Sequence, residues 1–402
     1  MANKISKYFS GIGAKRLTEV EIKPATSNQH EFNGINEFKE IFGTEKKNFK
    51  GRFILLSDEE DKILNTEGSL TWYDARLNHA TRTEYRLYYS ANAAIENASV
   101  GDLLIIARTG IDSLAIIIAP ANSTSEKQLM WLFGLSEVQN KFIILDLSDT
   151  TEELSFAGKY ILSSLGFDTD EVKEDYLSLI FKTFGETFPT TNLFSEFTRS
   201  TIKEVSPIEE PDKTLLMWME REELLFRTLE KHIVEQKLKE GFGSDGIDVD
   251  DFISFSLGVQ NRRKARAGLA FENHLSIIFN VNDIKYSKGK VTELNKKPDF
   301  IFPGIQQYHT DDFDTTLLTM LGVKTSAKDR WRQVLSEASR IKKKHLLTLE
   351  PAISKNQTDE MISENLQLVI PQEILQTFKA EQQKDILNVY EFIKKVKQKQ
   401  KN

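Results

Sequence analysis

Short apolar runs bounded by turn residues recur through the first 150 residues of the chain. Their lengths and their content of β-branched and aromatic residues are typical of strands. A helical spacing of apolar residues also occurs in this region, at Ile35, Phe38, Ile41 and Phe42. The region is therefore expected to be a mainly β domain, with strands at GRFILLS, EYRLYYS, GDLLIIARTG, SLAIIIAP and KFIILDL.

From about residue 151 the pattern changes to amphipathic helices. One long helix is predicted between Pro211 and Gly241, since proline favours the start of a helix and glycine its end. Beyond it the order is helix, two strands, helix, two strands and a final lysine-rich helix, which predicts an α/β domain with a central mixed sheet. A chain of 402 residues exceeds the usual size of one domain. We expect domains at 1–170 and 190–402, with a linker at 171–189 that includes the breakers of GETFPTTN.

Composition excludes several classes of function. The chain has no cysteine, which removes disulfides, thiolate metal sites and cysteine nucleophiles and suits a reducing compartment. No phosphate-binding loop motif and no H-E-x-x-H pair is present, so His274 and His345 are expected to be structural. The amino-terminal stretch lacks an apolar segment of signal-peptide length, and SLAIIIAP is too short to span a membrane. We expect a cytoplasmic protein.

Basic residues are concentrated in a chain whose formal net charge is −7. The stretch 323–344 holds eight basic residues and two acids, and NRRKARAG at 261–268 is also cationic. Screening at physiological salt confines each patch to roughly 8 Å, so local charge matters more than the total. These stretches indicate binding of a polyanion, although they are equally compatible with solvated helix faces.

Three residues could form a hydrolytic site. Asp299 precedes a predicted strand and Lys324 ends the next, so adjacent strands would bring them to one edge of the sheet. Glu337 falls near the buried face of the predicted helix DRWRQVLSEASRIKKK and needs a partner. Two carboxylates and a lysine around Mg²⁺ are suited to phosphodiester hydrolysis. The spacing also permits a structural interpretation, in which Asp299 caps a turn and Glu337 pairs with Arg340 or Arg330.

Four stretches of the chain carry a resemblance to a known family, namely NRRKARAG, NKKPDFIFP, VKTSAKDRWRQVLSEA and LQLVIP. In sequence and in order, they closely resemble the catalytic half of EcoRII-type restriction endonucleases. That family belongs to the PD-(D/E)XK nucleases, in a branch where the acid two residues before the lysine is replaced by a glutamate further along. Here that position is Gly322. The resemblance implies a restriction-endonuclease-like fold with Asp299, Lys324 and Glu337 as catalytic residues, Glu272 as an additional acid, and Mg²⁺ held by Asp299 and Glu337.

The same resemblance implies DNA contacts. The segment KDRWR should read bases beside the cut in a site with a CC and GG frame, such as CC(A/T)GG. Arg330 is suited to guanine and Asp329 to the amino group of cytosine. The residues expected to bind DNA in this half of the chain are Arg262, Arg263, Lys328, Asp329, Arg330 and Arg332.

A second resemblance covers the amino-terminal region. The stretches KRLTEVEIKPATSNQHEFNG and WYDARLNHATRTEYRLYY are similar to the DNA-binding pseudobarrel that EcoRII-type enzymes share with a class of plant transcription factors. In that fold two arms enter the major groove. An alternative interpretation of TRTEYR, without a DNA contact, is a strand with alternating exposed charges. The implied contact residues are Ser27, Asn28, Gln29 and His30 in the first arm, and Arg76, Asn78, Arg82, Glu84 and Arg86 in the second.

Together these observations predict a two-domain, Mg²⁺-dependent type II restriction endonuclease that cuts double-stranded DNA. A homodimer or a complex with two DNA sites is expected, with a cognate DNA methyltransferase as functional partner and no membrane association. One alternative is a sequence-specific DNA-binding regulator with an inactive nuclease domain. An acidic scaffold that binds no nucleic acid is a third hypothesis, distinguished by the absence of salt-sensitive DNA binding.

Overall fold

Two compact units make up the chain. The structure is a computed structural model that describes residues 3–22, 30–32, 35–59, 62–79, 81–169 and 174–401. The N-terminal unit comprises Met1–Thr169 with Ala352–Gln357, and the C-terminal unit comprises Asp170–Pro351 with Thr358–Asn402. Each unit is described by itself below.

An eight-stranded sheet organises the N-terminal unit. Its strand order is β2-β5-β4-β3-β7-β6-β1-β8. Successive residues of β6 face opposite sides of the sheet, and both sides are buried in apolar clusters, Leu103 and Ile105 in one and Leu104 and Ile106 in the other. The strands are β1 (Gly11–Arg16), β2 (Glu31–Phe32), β3 (Lys47–Leu55), β4 (Leu64–Asp74), β5 (Tyr85–Tyr89), β6 (Leu103–Gly110), β7 (Ser113–Ala119) and β8 (Ile143–Asp146).

Short helices flank this sheet. Their bounds are α1 (Glu19–Ile22), α2 (Lys39–Phe42), α3 (Ala93–Glu96), α4 (Thr124–Leu132) and α5 (Phe156–Ser164). The mainly β character of the region agrees with the sequence prediction, and all five predicted strands are present. The sequence did not reveal β1 or β4, because β4 carries few apolar residues and has a glycine, Gly68, at its middle.

Four helices form the first part of the C-terminal unit: α6 (Glu174–Phe184), α7 (Thr191–Ser200), α8 (Pro211–Glu240) and α9 (Val249–Val281). The predicted limits of α8 are confirmed, since Pro211 begins it and Gly241 follows it with a φ of 81°. Helix α6 occupies much of the segment predicted to be a linker. Ile180 of α6 is buried together with Phe194 of α7 and Leu229 of α8.

The second part of the C-terminal unit is a five-stranded mixed sheet of order β13-β12-β11-β10-β9. Strand β10 pairs antiparallel with β9 and β11, whereas β12 pairs parallel with β11 and β13. The mixed sheet agrees with the prediction. Its strands are β9 (Ser287–Lys288), β10 (Phe300–Phe302), β11 (Thr319–Lys324), β12 (Lys344–Thr348) and β13 (Leu366–Val369).

Helices surround this sheet. Among the helices within the described ranges of the whole chain, none is long and apolar enough to cross a membrane. The remaining helices are α10 (Ile305–His309), α11 (Trp331–Leu335), α12 (Lys355–Ser363), α13 (Gln372–Leu375), α14 (Ala380–Gln383) and α15 (Val389–Lys401).

The predicted long helix over DRWRQVLSEASRIKKK is wrong in extent, because α11 ends at Leu335. Beyond it Ala338 has a φ of 47°, which a continuing helix does not allow. The core face predicted for this helix is nevertheless buried at four of its five residues, Trp331, Val334, Ala338 and Ile341, and Leu335 is half-buried. Glu337 therefore lies on a turn beyond the helix and not on its surface.

Candidate active site

Asp299 and Lys324 lie side by side, as the predicted strand order requires. Phe300 of β10 pairs with Leu321 of β11, which places the residue before β10 opposite the end of β11. The Lys324 ammonium donates to Asp299 Oδ2 at 3.1 Å. The backbone N–H of Val323 donates to the same oxygen, with an N to O distance of 2.6 Å. The carboxylate is thus fixed by the neighbouring strand as well as by the lysine.

Glu337 contributes a second carboxylate to this edge of the sheet. Its Oε2 atom is buried and has no hydrogen-bond partner among the residues that the structure describes. Burial and, after it, the negative charge of Asp299 raise the pKa of Glu337 to about 7, and Lys324 opposes that rise. A buried acceptor without a donor is costly in a folded protein, so this carboxyl is suited to binding a proton or a cation.

Glu272 is the third acid near the pair. It lies on α9, and its Oε2 is 3.3 Å from the ammonium of Lys288 on β9. Burial and then Asp299 raise the pKa of Glu272, whereas Lys288 lowers it. The same lysine donates to Asn273 Oδ1 at 3.2 Å. Lys288 was not singled out from the sequence, and it partly compensates the charge of Glu272.

The donor set fits a hard divalent cation such as Mg²⁺, which prefers carboxylate oxygens. The unpartnered Oε2 of Glu337 and the nearby carboxylate of Asp299 are oxygens of this kind. Within the described ranges, no three acidic, histidine or cysteine side chains form a group that could hold a metal ion. The ammonium groups of Lys324 and Lys288 lie against Asp299 and Glu272.

Gly322 explains why the second carboxylate comes from beyond β11. A Cβ atom added to Gly322 would lie 2.8 Å from Cγ2 and 3.1 Å from Cγ1 of Val334. Val334 belongs to α11 and is fully buried. The helix therefore packs directly on the backbone of β11, and no side chain fits at position 322 without displacing it.

The turn that carries Glu337 is held by a cluster that sequence reasoning missed. The Tyr308 hydroxyl donates to Glu293 Oε1 at 2.6 Å. The backbone N–H groups of Ser339 and Arg340 donate to Glu293 Oε2 at 3.4 Å and to the Tyr308 hydroxyl at 3.3 Å. Burial and the bond to Glu293 raise the pKa of Tyr308 to about 12. Glu293 and Tyr308 precede Glu337 by more than 25 residues, and neither forms a recognisable motif with it.

The residues predicted to read bases lie in the loop after β11 and in the first turn of α11. Asp329 and Arg330 are exposed and Lys328 is half-buried. Arg332 is exposed as well, but its guanidinium is 2.7 Å from Glu360 Oε1. Trp331 is fully buried and belongs to the core.

The lysines that follow Glu337 do not all face solvent. Lys342 and Lys343 are exposed, as a phosphate contact requires. Lys344 is buried at the start of β12 and donates to the carbonyl of Ile341 at 3.2 Å, so it is not placed to contact phosphate.

Arg262 and Arg263 are exposed on α9. The Arg262 guanidinium lies 4.3 Å from the ring centroid of Phe188, and Arg263 pairs with the buried carboxylate of Glu230. Their existing partners in the helical part of the unit give both residues a structural role. The two predicted structural histidines, His274 and His345, are indeed buried.

The two predicted DNA-binding arms of the N-terminal unit adjoin in sequence β2 and β5, which pair with each other. Ser27, Asn28 and Gln29 lie outside the described residues. His30 precedes β2, and its carbonyl accepts from Tyr89 N at 2.9 Å. The adjacent Glu31 accepts from Arg86 Nη1 at 2.7 Å.

The second arm divides into paired and exposed side chains. Arg76 and Arg86 both donate to Glu84, and these hydrogen bonds, in that order, lower the pKa of Glu84. Asn78 and Arg82 are exposed in the loop between β4 and β5. Of the predicted arm residues that the structure describes, these two are therefore the best placed to reach a ligand.

Comparison with known proteins finds a family and a relative that are similar to part of the C-terminal unit. Residues 226–393 match the family described as EcoRII C terminal. The type II restriction enzyme EcoRII of Escherichia coli is 38% identical over 185 residues, which is 46% of this chain and 45% of that protein. Residues 226–393 are therefore similar to the C-terminal domain of EcoRII. The match thus spans less than half the length of that relative, and the domain holds every candidate catalytic residue discussed above.

Solved structures similar to the chain include two restriction enzymes. Metal-depleted Ecl18kI in complex with uncleaved DNA has a TM-score of 0.46 and 18% identity, over 56% of this chain and 84% of that chain. The complex of restriction endonuclease PspGI with substrate DNA has a TM-score of 0.44 and 16% identity, over 54% of this chain and 95% of that chain. The assignment of the EcoRII C-terminal domain does not depend on either of them.

The contact between Gly322 and Val334 predicts an unusual effect of a small substitution. An alanine in an extended strand is ordinarily more favourable than glycine. Here Gly322→Ala should lower the free energy of unfolding by about 1–3 kcal/mol, because the added methyl group overpacks against Val334. Adding Val334→Ala should recover part of that loss in a double-mutant cycle measured by urea unfolding. Strictly additive effects of the two substitutions would contradict this account.

Proposed function

We propose that this chain is a type II restriction endonuclease that cleaves double-stranded DNA with Mg²⁺. The observation that carries the proposal is the meeting of the Asp299–Lys324 pair with the buried Oε2 of Glu337, which has no hydrogen-bond partner among the residues that the structure describes. This arrangement lies within a domain that matches the EcoRII C-terminal family. Asp299 and Glu337 would hold the cation and Glu272 would act as an additional acid.

Each residue of the site has a distinct task. Asp299 and Glu337 supply oxygen ligands, and the backbone bond from Val323 keeps the Asp299 carboxylate in place. The Lys324 ammonium orients the attacking water and adds positive charge beside the phosphate. When bound, the divalent cation lowers the pKa of water and neutralises charge that develops on the phosphoryl oxygens. Lys288 limits the charge that Glu272 brings to the site.

The recognition element would be the segment between β11 and α11. Arg330 is exposed immediately after the catalytic lysine and is suited to a bidentate contact with guanine. Asp329 can accept from the amino group of cytosine, and Lys328 and Arg332 lie beside them. The resemblance to EcoRII-type enzymes favours a target with a CC and GG frame, such as CC(A/T)GG.

The N-terminal unit would act as a targeting module with a pseudobarrel fold. Support comes from its sheet-rich architecture and from His30 of the first arm, whose carbonyl accepts from Tyr89 N of β5, the strand that holds Arg86 of the second arm. Arg76, Glu84 and Arg86 are linked to one another, so base contacts would require them to exchange partners. Arg82 and Asn78 need no such exchange.

The assembly follows from the reaction. Cutting both strands of a duplex calls for two sets of catalytic residues, which a homodimer or a complex at two DNA sites would supply. A cognate methyltransferase would protect the host DNA, and both activities would operate in the cytoplasm. Digestion of a plasmid of known sequence with Mg²⁺, followed by sequencing of the ends, would establish the activity, the site and the cut position. Binding without cleavage would favour a DNA-binding regulator instead.

Removal of a catalytic carboxylate should separate binding from cleavage. Asp299→Ala and Glu337→Ala should each abolish detectable cleavage, because these acids hold the cation, while DNA affinity stays largely intact. Rates are compared in single-turnover assays, and affinity is measured by fluorescence anisotropy without metal. The matched control is Glu364→Ala, which removes an exposed acid of the same unit. Cleavage within about tenfold of wild type for either site variant would refute the site assignment.

Substitutions in the basic stretch should separate specificity from general affinity. Arg330→Ala should lose about 1–3 kcal/mol of discrimination between the cognate duplex and duplexes with one base changed. Lys342→Ala should instead weaken binding to all duplexes alike and reduce the salt slope by roughly one. Binding titrations at several salt concentrations provide both quantities. A uniform loss of affinity in Arg330→Ala would show that this residue contacts phosphate only.

Arg82 offers a test of the N-terminal unit in the whole chain. Arg82→Ala should weaken specific DNA binding by about 1–3 kcal/mol if its guanidinium contacts a base. Lys141→Ala is the control, because it removes an exposed charge beside β8, at the opposite edge of the same sheet. Anisotropy titrations with specific and scrambled duplexes distinguish the two. Equal effects of both substitutions on both duplexes would favour a strand with solvated charges.

A further inference from the structure

Glu350 is a buried carboxylate with no place in the mechanism described above. It lies two residues beyond β12 and is 0% exposed. Burial of a carboxylate is costly unless hydrogen-bond donors surround it. The identity of those donors therefore indicates what the residue stabilises.

Three hydrogen-bond donors to the Glu350 carboxylate come from the loop after β11. Glu350 Oε2 accepts from the backbone N–H of Ala327 at 2.6 Å and of Lys328 at 2.9 Å. It also accepts from the Ser326 hydroxyl at 3.3 Å. Three consecutive residues of the loop are thus bound to one oxygen atom of a single side chain.

This contact continues the sheet where backbone pairing ends. Strands β11 and β12 run parallel, and their last matched residues are Lys324 and Thr348. Beyond that pair the Thr348 hydroxyl reaches the carbonyl of Thr325 at 3.5 Å and accepts from Glu350 N at 3.2 Å. Side chains at the end of β12 therefore hold the first turn of the loop in place of strand pairing.

The held backbone is strained and leads directly into α11. Lys328 has a φ of 29°, a conformation that residues other than glycine adopt only where the surroundings enforce it. The carbonyl of Ala327 accepts from Arg330 N at 2.7 Å and from Trp331 N at 3.2 Å. The positions of Asp329 and Arg330 are consequently set by the two amides that Glu350 binds.

We infer that Glu350 is a positioning residue for base recognition, which fixes the backbone from which Asp329 and Arg330 reach DNA. The inference rests on the proposed function, in which those two side chains contact bases. Loss of the carboxylate should leave general DNA affinity unchanged and reduce the difference between right and wrong sequences. A merely structural role would lower stability or affinity for all duplexes alike.

The first test needs no DNA. Glu350→Gln keeps the shape of the side chain but weakens its hydrogen bonds to the two amides. Hydrogen exchange of the peptide spanning residues 326–331 should be faster by about tenfold in this variant, and peptides of β11 should be unchanged. The control is Asp212→Asn. The buried Asp212 carboxylate also accepts from backbone amides, but these belong to Gln372, Val389 and Tyr390, outside the loop after β11. Unaltered exchange in Glu350→Gln would overturn the inference.

The second test uses the duplex that the wild-type enzyme cleaves. Glu350→Gln should reduce the ratio of cleavage rates on this duplex and on one-base variants by about tenfold or more, while affinity for unrelated DNA changes by less than about twofold. Wild-type discrimination in this variant, or an equal loss on every duplex, would overturn the inference. If Glu350→Gln does not fold, Thr348→Val decides the question with the same two measurements. Absence of cleavage by the wild-type enzyme would instead refute the proposed function, and the exchange result would stand separately.

Discussion

The bond between the Asp299 carboxylate and the backbone of β11 is the contact on which the candidate site depends. It joins the residue before β10 to the end of the neighbouring strand, where Lys324 reaches the same oxygen. The antiparallel register of β10 and β11 makes this meeting unavoidable. Glu337 follows β11 in the chain, whereas Glu272 and Lys288 come from α9 and β9, and all three lie around that fixed corner.

The sequence predicted the elements that carry this corner. Strands β10 and β11 have short apolar runs, and the chemistry-bearing residues Asp299 and Lys324 stand at their ends, so strand order alone brings them together. The N-terminal unit was harder to predict. Strand β4 has mostly polar residues and becomes a strand because β3 and β5 pair with it on both sides.

Tertiary contacts account for what the sequence could not predict. Helical periodicity continues past Leu335, yet the chain turns there because Glu293 and Tyr308 take up the backbone amides of the next segment. The partners come from distant positions, so local propensity holds no information about them. Arg76 and Arg86 illustrate the same limit, since the resemblance implied two arginines available to DNA and the fold pairs both with Glu84.

The packing of Val334 on Gly322 also bears on how such a site changes over evolutionary time. Because the branched side chain of Val334 fills the space beside Gly322, an acid fits at position 322 only after a smaller residue has replaced Val334. Each step by itself is harmful, because trimming leaves a cavity and the acid alone causes a collision. The proposed role of Glu337 would thereby depend on two apolar positions, 322 and 334, neither of which takes part in the chemistry.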